Sequence, residues 1–505
     1  MTDSRQPLVL LTGSSGYVGG QLLERLLTSG NRVRCLVRRR IPENRQTTKE
    51  VEFVQGDVFE PGSLKQALVG VHTAYYFVHA MGSSGDFVQE DRLAARNFAD
   101  ACTEAGVQRI IYLGGLGNPD HRLSRHLRSR QEVGNLLRTS SASVIEFRAS
   151  IIIGAGSLSF EMIRALVERL PIMICPKWVQ VRAQPIAIED VLEYLLRALE
   201  LPAAENLVFE IGGPDQLSYG EIMQTYARER GLKRWMIPLP FLTPFLSSLW
   251  LGLVTPLYAR VGRKLVESMR NPTLVSNNLV DKYFDFRPRT AKKAIERALE
   301  TEDREFAENC WADEEAAAQP HSWGGSRVGS RIVESMSVEI DADCQTAFQP
   351  IQGIGGENGW YFGDRLWKIR GMLDRLLGGV GSRKGRRHAT QLKAGESVDS
   401  WRVESFEEGR FLRLISEMKL PGRAWLEFEV TRSGQGSRIR QTAIFDPRGL
   451  AGMVYWYSLF PVHRLVFRGM LKAISKQVKD DSRRVMGDAL SVDGPPKVLP
   501  DAEPG

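Results

Sequence analysis

Leu8-Val9-Leu10-Leu11-Thr12-Gly13-Ser14-Ser15-Gly16-Tyr17-Val18-Gly19-Gly20 is the stretch whose reading decides the fold. The apolar run Leu8 to Leu11 has the length of a buried strand. Leu22, Leu23, Leu26 and Leu27 then recur at helical spacing. The glycines therefore stand between a strand and a helix, where a nucleotide-binding turn needs them. Gly13 allows the tight turn, Gly16 lets the backbone approach a pyrophosphate, and Gly19 lets helix and strand pack closely. The unpaired N–H groups and dipole of the helix N-terminus favour the anion. Ser15, Tyr17 and Val18 complete the expected contact set on this turn.

Working outward, a second strand runs from Arg32 to Val37 after the turn Ser29-Gly30-Asn31. At its end a carboxylate would receive a ribose 2′-hydroxyl. Arg38 and Arg39 stand there instead, which suits a 2′-phosphate and so NADP(H), with NAD(H) as the alternative. The third strand ends in Gln55-Gly56-Asp57-Val58, and Asp57 and Val58 are expected at the adenine. A short helix is expected over Ser63 to Val69 and a fourth strand over Thr73 to Val78, with Val78 and His79 flanking the nicotinamide ribose. A helix over Phe87 to Ala105, a strand over Arg109 to Leu113, a basic helix over Arg122 to Arg138 and a strand over Val144 to Arg148 follow. Repeated strand–helix units predict a Rossmann α/β fold, a doubly wound parallel sheet with ligands at the carboxyl ends of its strands.

These residues resemble the short-chain dehydrogenase/reductase superfamily, of the extended or atypical kind, with NmrA-like and complex-I-accessory-like NAD(P)-binding proteins nearest. The resemblance spans about residues 5–300. It includes Gln184 to Val191 and Phe209 to Pro214, which are similar to that family's substrate-side elements. It implies a tyrosine and a lysine four residues later on the helix after the fifth strand, the tyrosine moving a proton and the lysine lowering its pKa. Here that helix reads His121-Arg122-Leu123-Ser124-Arg125-His126-Leu127-Arg128-Ser129-Arg130, without tyrosine. His126 and Arg130, at i and i+4 on one face, are the candidate acid/base and orienting pair. Gly114 or Gly115 stands where the family has a serine. Asp190 is expected to cap or pack near a helix start rather than to react.

The chain has 505 residues, too many for one core, with 67 Lys+Arg against 60 Asp+Glu, a net charge of +7 and a pI of about 9.1. Two or three domains are expected. The mild basicity permits attraction to phosphates or anionic lipid. Neither zinc-finger spacing nor a basic-aromatic RNA motif is present, so no nucleic-acid partner is expected. Cys35, Cys102, Cys175, Cys310 and Cys344 are scattered without a C-x-x-C pair, which fits a reducing compartment and no metal site. The expected location is the cytoplasm, with peripheral contact at the inner membrane as an option. Trp235 to Tyr258 is a long uncharged stretch, but Pro238, Pro240, Pro244 and Pro256 oppose one spanning helix. It reads as a segment buried between domains, a pocket lid, or a surface that dips into a membrane.

Residues 301–327, acidic and then Ala-, Ser- and Gly-rich, read as a linker. From 328 to about 480 the period changes. A strand over Arg331 to Ile340 is followed by a helical stretch with Trp360, Tyr361, Phe362 and Trp367. The basic loop Arg383 to His388 comes next, then strands over Trp401 to Phe406, Arg410 to Met418, Arg423 to Thr431 and Arg438 to Phe445. Leu426, Phe428 and Val430 alternate with Glu427 and Glu429, which predicts one buried face. A long apolar helix over Leu450 to Val478 closes the domain, and residues 481–505 read as a disordered tail. A sheet wrapped about such a helix resembles the α+β helix-grip (START-like) fold. That likeness implies a cavity for a hydrophobic ligand. The segment Glu417 to Phe428 is similar to an uncharacterised domain fused to reductase-like proteins in bacteria. The whole is expected to be an NAD(P)H-dependent oxidoreductase acting on a hydrophobic carbonyl or quinone-like small molecule. The alternatives are a non-catalytic sensor of NADP(H), and quinone or lipid handling at a membrane.

Overall fold

The computed structural model describes residues 7–38, 50–79, 86–118, 123–202, 205–238, 267–309, 326–328, 331–376, 378–381, 392–434 and 436–491. The chain divides into two units, Met1–Glu308 and Asn309–Gly505.

The first unit is built on a seven-stranded sheet in which every pairing is parallel. Its strands are β1 (Leu8–Thr12), β2 (Arg32–Val37), β3 (Val51–Gln55), β4 (Val71–Tyr76), β5 (Arg109–Gly115), β6 (Ser143–Ala149) and β7 (Leu207–Ile211), in the order β7-β6-β5-β4-β1-β2-β3. The order reverses beside β1, so the cleft opens at its carboxyl end. One face carries α1 (Tyr17–Thr28) and α6 (Ile188–Arg197), whose Leu22, Leu26, Val191 and Leu195 pack on Val9, Leu11 and Phe147. The other carries α2 (Pro61–Leu68), α3 (Phe87–Ala105) and α4 (Arg125–Leu137), through Leu64, Phe98, Val133 and Leu137. Strands covered on both faces carry near-continuous apolar runs, as Leu8 to Leu11 of β1 and Ile110 to Leu113 of β5 do. A third core joins α5 (Leu158–Arg169), α7 (Tyr219–Glu229) and α8 (Ala291–Asn309) through Phe160, Ile163, Tyr226 and Ile295.

Several elements differ from the sequence reading. Phe209 to Ile211 belongs to β7 at the edge of the main sheet, because its alternate residues pair in register with β6. Helix α8 continues to Asn309, past the expected boundary at 300. Trp235–Pro238 is a short strand parallel to Ile172–Cys175, and the rest of the uncharged stretch lies outside the described residues. So do Cys310 and Arg383 to His388. Asp190 lies in the first turn of α6, where its buried carboxylate accepts the Arg289 N–H at 2.7 Å and pairs with the Arg289 guanidinium.

The second unit holds an antiparallel sheet of β8 (Ser326–Val328), β9 (Arg331–Ile340), β10 (Ser397–Val398), β11 (Trp401–Glu407), β12 (Phe411–Ser416), β13 (Gly422–Ser433) and β14 (Gly436–Pro447), in the order β8-β9-β14-β13-β12-β11-β10. Helices α9 (Cys344–Gln352), α10 (Asp364–Leu376) and α11 (Gly449–Ser491) complete it. Leu412, Leu426, Phe428 and Val430 meet Phe348 of α9 and Trp456, Phe460 and Met470 of α11 in one core. Glu427 is not on a solvated face. It is 4% exposed and pairs at 3.0 Å with Arg413, while the neighbouring Trp425 ring is covered by the guanidinium groups of Arg331, Arg413 and Arg423 at 5.0–5.9 Å. Helix α11 extends to Ser491, into the stretch read as tail, and 492–505 lie outside the described residues.

Candidate cofactor cleft and adjoining pocket

Gly13 takes φ +70°, and a Cβ there would lie 2.8 Å from the Phe77 carbonyl oxygen. A Cβ on Gly19 would lie 2.2 Å from the Gly13 carbonyl oxygen, so the helix can start this close to the strand only with glycine. The turn is pinned by Gly16 N–H on Gly13 O (2.9 Å) and Gly20 N–H on Gly16 O (2.8 Å). The buried Thr12 hydroxyl donates to Tyr75 O (3.0 Å) and accepts from Phe77 N–H (2.9 Å), tying β1 to β4 beneath the turn. Gly16 caps α1 without a side chain, and no acidic residue stands in the first turn. The helix N–H groups are thus left for an external anion.

In front of this turn is a cleft of about 510 Å³. Gly13, Ser15 and Gly16 line its middle. Arg38, Asp57 and Val58 line the β2–β3 side, and Val78 and His79 the β4 side. Arg38 is exposed, and Asp57 Oδ1 accepts the Phe59 N–H at 3.1 Å. These residues suit a dinucleotide: a glycine cradle that a Cβ would fill, an uncapped helix N-terminus, and an arginine beyond β2. Arg39 lies outside the described residues. Tyr17 and Val18 do not line the cleft. The Tyr17 ring is turned toward Gly154, where a Cβ would come 2.1 Å from its hydroxyl, and Val18 packs on the core. Only their backbone belongs to the turn, because α1 begins at Tyr17 and carries both side chains onto its sheet-facing and flanking surfaces.

His79 also borders a second pocket of about 210 Å³, together with Gly115, His126, Arg130, Ser150 and Tyr219. The rings of His79 and His126 lie 5.2 Å apart. His126 sits in the first turn of α4, whose N-cap Ser124 accepts the Leu127 N–H at 3.2 Å. His79 Nδ1 is 3.3 Å from the Asp91 carboxylate, which is 3% exposed and accepts the Ser129 hydroxyl at 2.9 Å. The structure thus brings His79 and His126 together over a fixed acid. Arg130 is committed elsewhere. Its guanidinium donates to the Leu113 carbonyl and covers the Tyr112 ring at 5.2 Å, while its own carbonyl accepts the Tyr112 hydroxyl at 2.8 Å. It supports the end of β5. The sequence reading missed Asp91, Ser129 and Tyr219. Asp91 had a signal, since it shares the apolar stripe Phe87, Ala94, Ala95 and Phe98 on α3. Burial pushes the Tyr219 phenol up from its ordinary range, so it stays protonated.

Residues 13–150 match a family model described as NAD(P)H-binding. This part of the chain is an NAD(P)H-binding Rossmann domain. Residues 328–470 match a second model, described as a protein of unknown function (DUF2867). The NAD(P)H-binding domain and the elements after it are similar to a ceramide reductase of Caulobacter vibrioides, 29% identical over 47% of this chain and 75% of that protein. They are also similar to a UDP-glucose 4-epimerase of Vibrio cholerae, 24% identical over 47% and 80%. Among solved structures, the Citrobacter sp. triphenylmethane reductase complexed with NADP(H) aligns with a TM-score of 0.48 at 16% identity, covering 58% of this chain and 99% of that one. Among the described residues no helix is long and apolar enough to cross a membrane.

Proposed function

We propose that the chain is an NADP(H)-dependent oxidoreductase acting on a hydrophobic carbonyl or quinone-like substrate. The observation that carries this reading is the placement of His79, which borders both the cofactor cleft and the pocket holding His126. The nicotinamide supplies or accepts the hydride. Gly13, Ser15 and Gly16 hold the pyrophosphate, Arg38, with Arg39 after it in sequence, the 2′-phosphate, and Asp57 and Val58 the adenine. His126 carries the proton that a nascent alkoxide takes up. Asp91 fixes the orientation of His79, whose ring lies tilted beside that of His126. Arg130 shapes the floor of the pocket. The names of relatives such as ceramide reductase join reductase chemistry to an apolar substrate. In the same reading the second unit, with its sheet and long helix, is a START-like domain that binds an apolar molecule.

Purified protein with NADPH and a panel of quinones, enones and aldehydes tests the reading. Oxidation of the nicotinamide that falls about 10²-fold or more in His126→Ala supports it, as general acid–base catalysis contributes about that much. A second reading, a non-catalytic NADP(H) sensor, draws on the absence of tyrosine from α4 and on the engagement of Arg130 with Leu113. Tight NADPH binding without turnover on any acceptor would favour it.

A further inference from the structure

The second unit contains a cavity of about 630 Å³ bounded by α10, the sheet and α11. Trp401, Met418, Phe445, Trp456 and Phe467 stand in its wall, a size and lining typical of small-molecule sites. Leu366, Ile369, Leu373, Leu376 and Val462 also line it and are 41–77% exposed, which makes an apolar mouth.

Polar groups interrupt this wall at one place. Arg370 of α10 lies over the Tyr455 ring at 5.8 Å. His463 stands 6.3 Å from Tyr455, ring to ring. One Arg370 guanidinium nitrogen, Nη2, and His463 Nδ1 are buried without a hydrogen-bond partner among the described residues. The indole N–H groups of Trp367 and Trp401, on the same cavity, are in the same condition. Asp374, one turn along α10, does not serve Arg370. Its oxygens accept the Gly381 N–H at 2.8 Å and the Lys419 N–H at 2.7 Å. Burial and the Arg370 charge push His463 down to about 4, so it is neutral near pH 7. The polar end of the cavity therefore presents one positive charge and several N–H groups, with no carboxylate among its described lining residues. A buried cation and buried N–H groups are stable only when something pairs them.

We propose that this cavity binds a long-chain carboxylate, its alkyl chain along the aromatic wall and its carboxylate on Arg370 beside Tyr455 and His463. The proposal rests on the reading that the second unit binds an apolar molecule, and names the class of that molecule. A single cation beside a neutral imidazole matches one negative charge. A neutral sterol or quinone offers Arg370 no counter-charge, and a doubly charged phosphate head brings a second charge that no other cation of the lining balances.

The test titrates the full chain with palmitate and with hexadecan-1-ol, followed by tryptophan fluorescence, and repeats it with shorter acids. Palmitate is expected to bind at least tenfold tighter than the alcohol, and each methylene to tighten binding about fourfold. Arg370→Met should abolish the preference and leave the alcohol unchanged, while Arg370→Lys should keep most of it. Thermal melting checks that each variant is folded, and the acid-to-alcohol ratio of the unaltered protein decides without any variant. Equal binding of acid and alcohol would overturn the carboxylate assignment and leave the apolar site standing. Absence of saturable binding by either would overturn both.

Discussion

Gly19→Ala puts the geometry of the cofactor turn to a direct test. The new Cβ would lie 2.2 Å from Gly13 O, 2.8 Å from Gly13 C and 3.2 Å from Ser14 N, all backbone atoms that cannot swing away. Ordinary contact begins near 3.4 Å, so the start of α1 must retreat by about 1.2 Å. That retreat pulls on the Gly16 N–H to Gly13 O bond of 2.9 Å, which holds the turn closed. It moves the helix N–H groups off the pyrophosphate. Losing one charge-assisted hydrogen bond costs about 1.5–3 kcal/mol, or roughly 10- to 150-fold in affinity. Overpacking destabilises the fold by about 1–3 kcal/mol. Gly20→Ala is the matched control. Its Cβ meets only Ser14 O at 3.4 Å, and alanine in a helix interior is favoured over glycine by up to about 1 kcal/mol. The assay is fluorescence titration with NADPH and with NADH, alongside thermal melting. Gly19→Ala should lose both dinucleotides alike, and Gly20→Ala should bind as the unaltered chain does. The reasoning fails if Gly19→Ala binds NADPH within twofold of the parent, or if Gly20→Ala loses as much.

Other perturbations probe separate parts of the molecule. Arg38→Asp should weaken NADPH roughly 10- to 100-fold and NADH less than threefold, as expected for loss of one arginine–phosphate contact; equal losses in the two titrations would remove the 2′-phosphate assignment. Glu146 is fully buried between Arg138 and Arg148, so Glu146→Leu strands two cations and should destabilise the first unit by about 3–5 kcal/mol in denaturant unfolding. A loss below about 1 kcal/mol would show that both arginines find water. His463 has its folded pKa depressed to about 4 from an ordinary 6.5, so the unfolded chain takes the proton first as pH falls. The second unit should therefore lose stability between about pH 6.5 and 4, by roughly 3 kcal/mol from this residue. Buried Glu334, whose pKa is raised by burial, works in the opposite sense at acid pH. The measurement is thus the difference between the parent and His463→Gln, and parallel pH–stability curves for the two would refute it.

What could be read from the sequence was local. Helix α3 spans Phe87–Ala105, the range the residues predict, because Asp86 caps it by accepting the Val88 N–H and Gly106 ends it at φ +69°. Strand β9 likewise follows the alternation from Arg331 to Ile340. The glycine turn was legible because each glycine answers a contact made within a few residues or with the next strand. The rest depended on distant partners. Period-2 patterning set Glu427 facing outward, and it does face away from Leu426 and Phe428. The second face of the sheet, however, is itself covered by Arg413 and the arginine-flanked Trp425. No spacing rule reveals that Asp91 meets both His79 and Ser129, since the three come from α3, the end of β4 and α4. Arg130 was in the expected register, but register cannot tell a guanidinium held by Leu113 O from one open to a ligand.

The glycines that stand where the reductase pattern has a serine lie in close packing. A Cβ on Gly115 would lie 2.9 Å from Leu127 Cδ2, and one on Gly114 would lie 3.1 Å from Glu146 Oε1 and 3.2 Å from the Tyr112 ring. Helix α4 also comes close to β6. At Gly134 a Cβ would fall 2.4 Å from the Glu146 carboxylate, which Arg138 and Arg148 hold in place. A side chain at Gly115 would press on the end of the Leu127 side chain, and one at Gly114 on the Glu146 carboxylate that Arg138 and Arg148 hold. Beside the cofactor cleft, the structure sets the imidazoles of His79 and His126 with ring centroids 5.2 Å apart. Asp91, 3.3 Å from His79 Nδ1, also accepts the Ser129 hydroxyl of α4. That is the physical ground for looking for chemistry at His126 rather than for a repaired tyrosine.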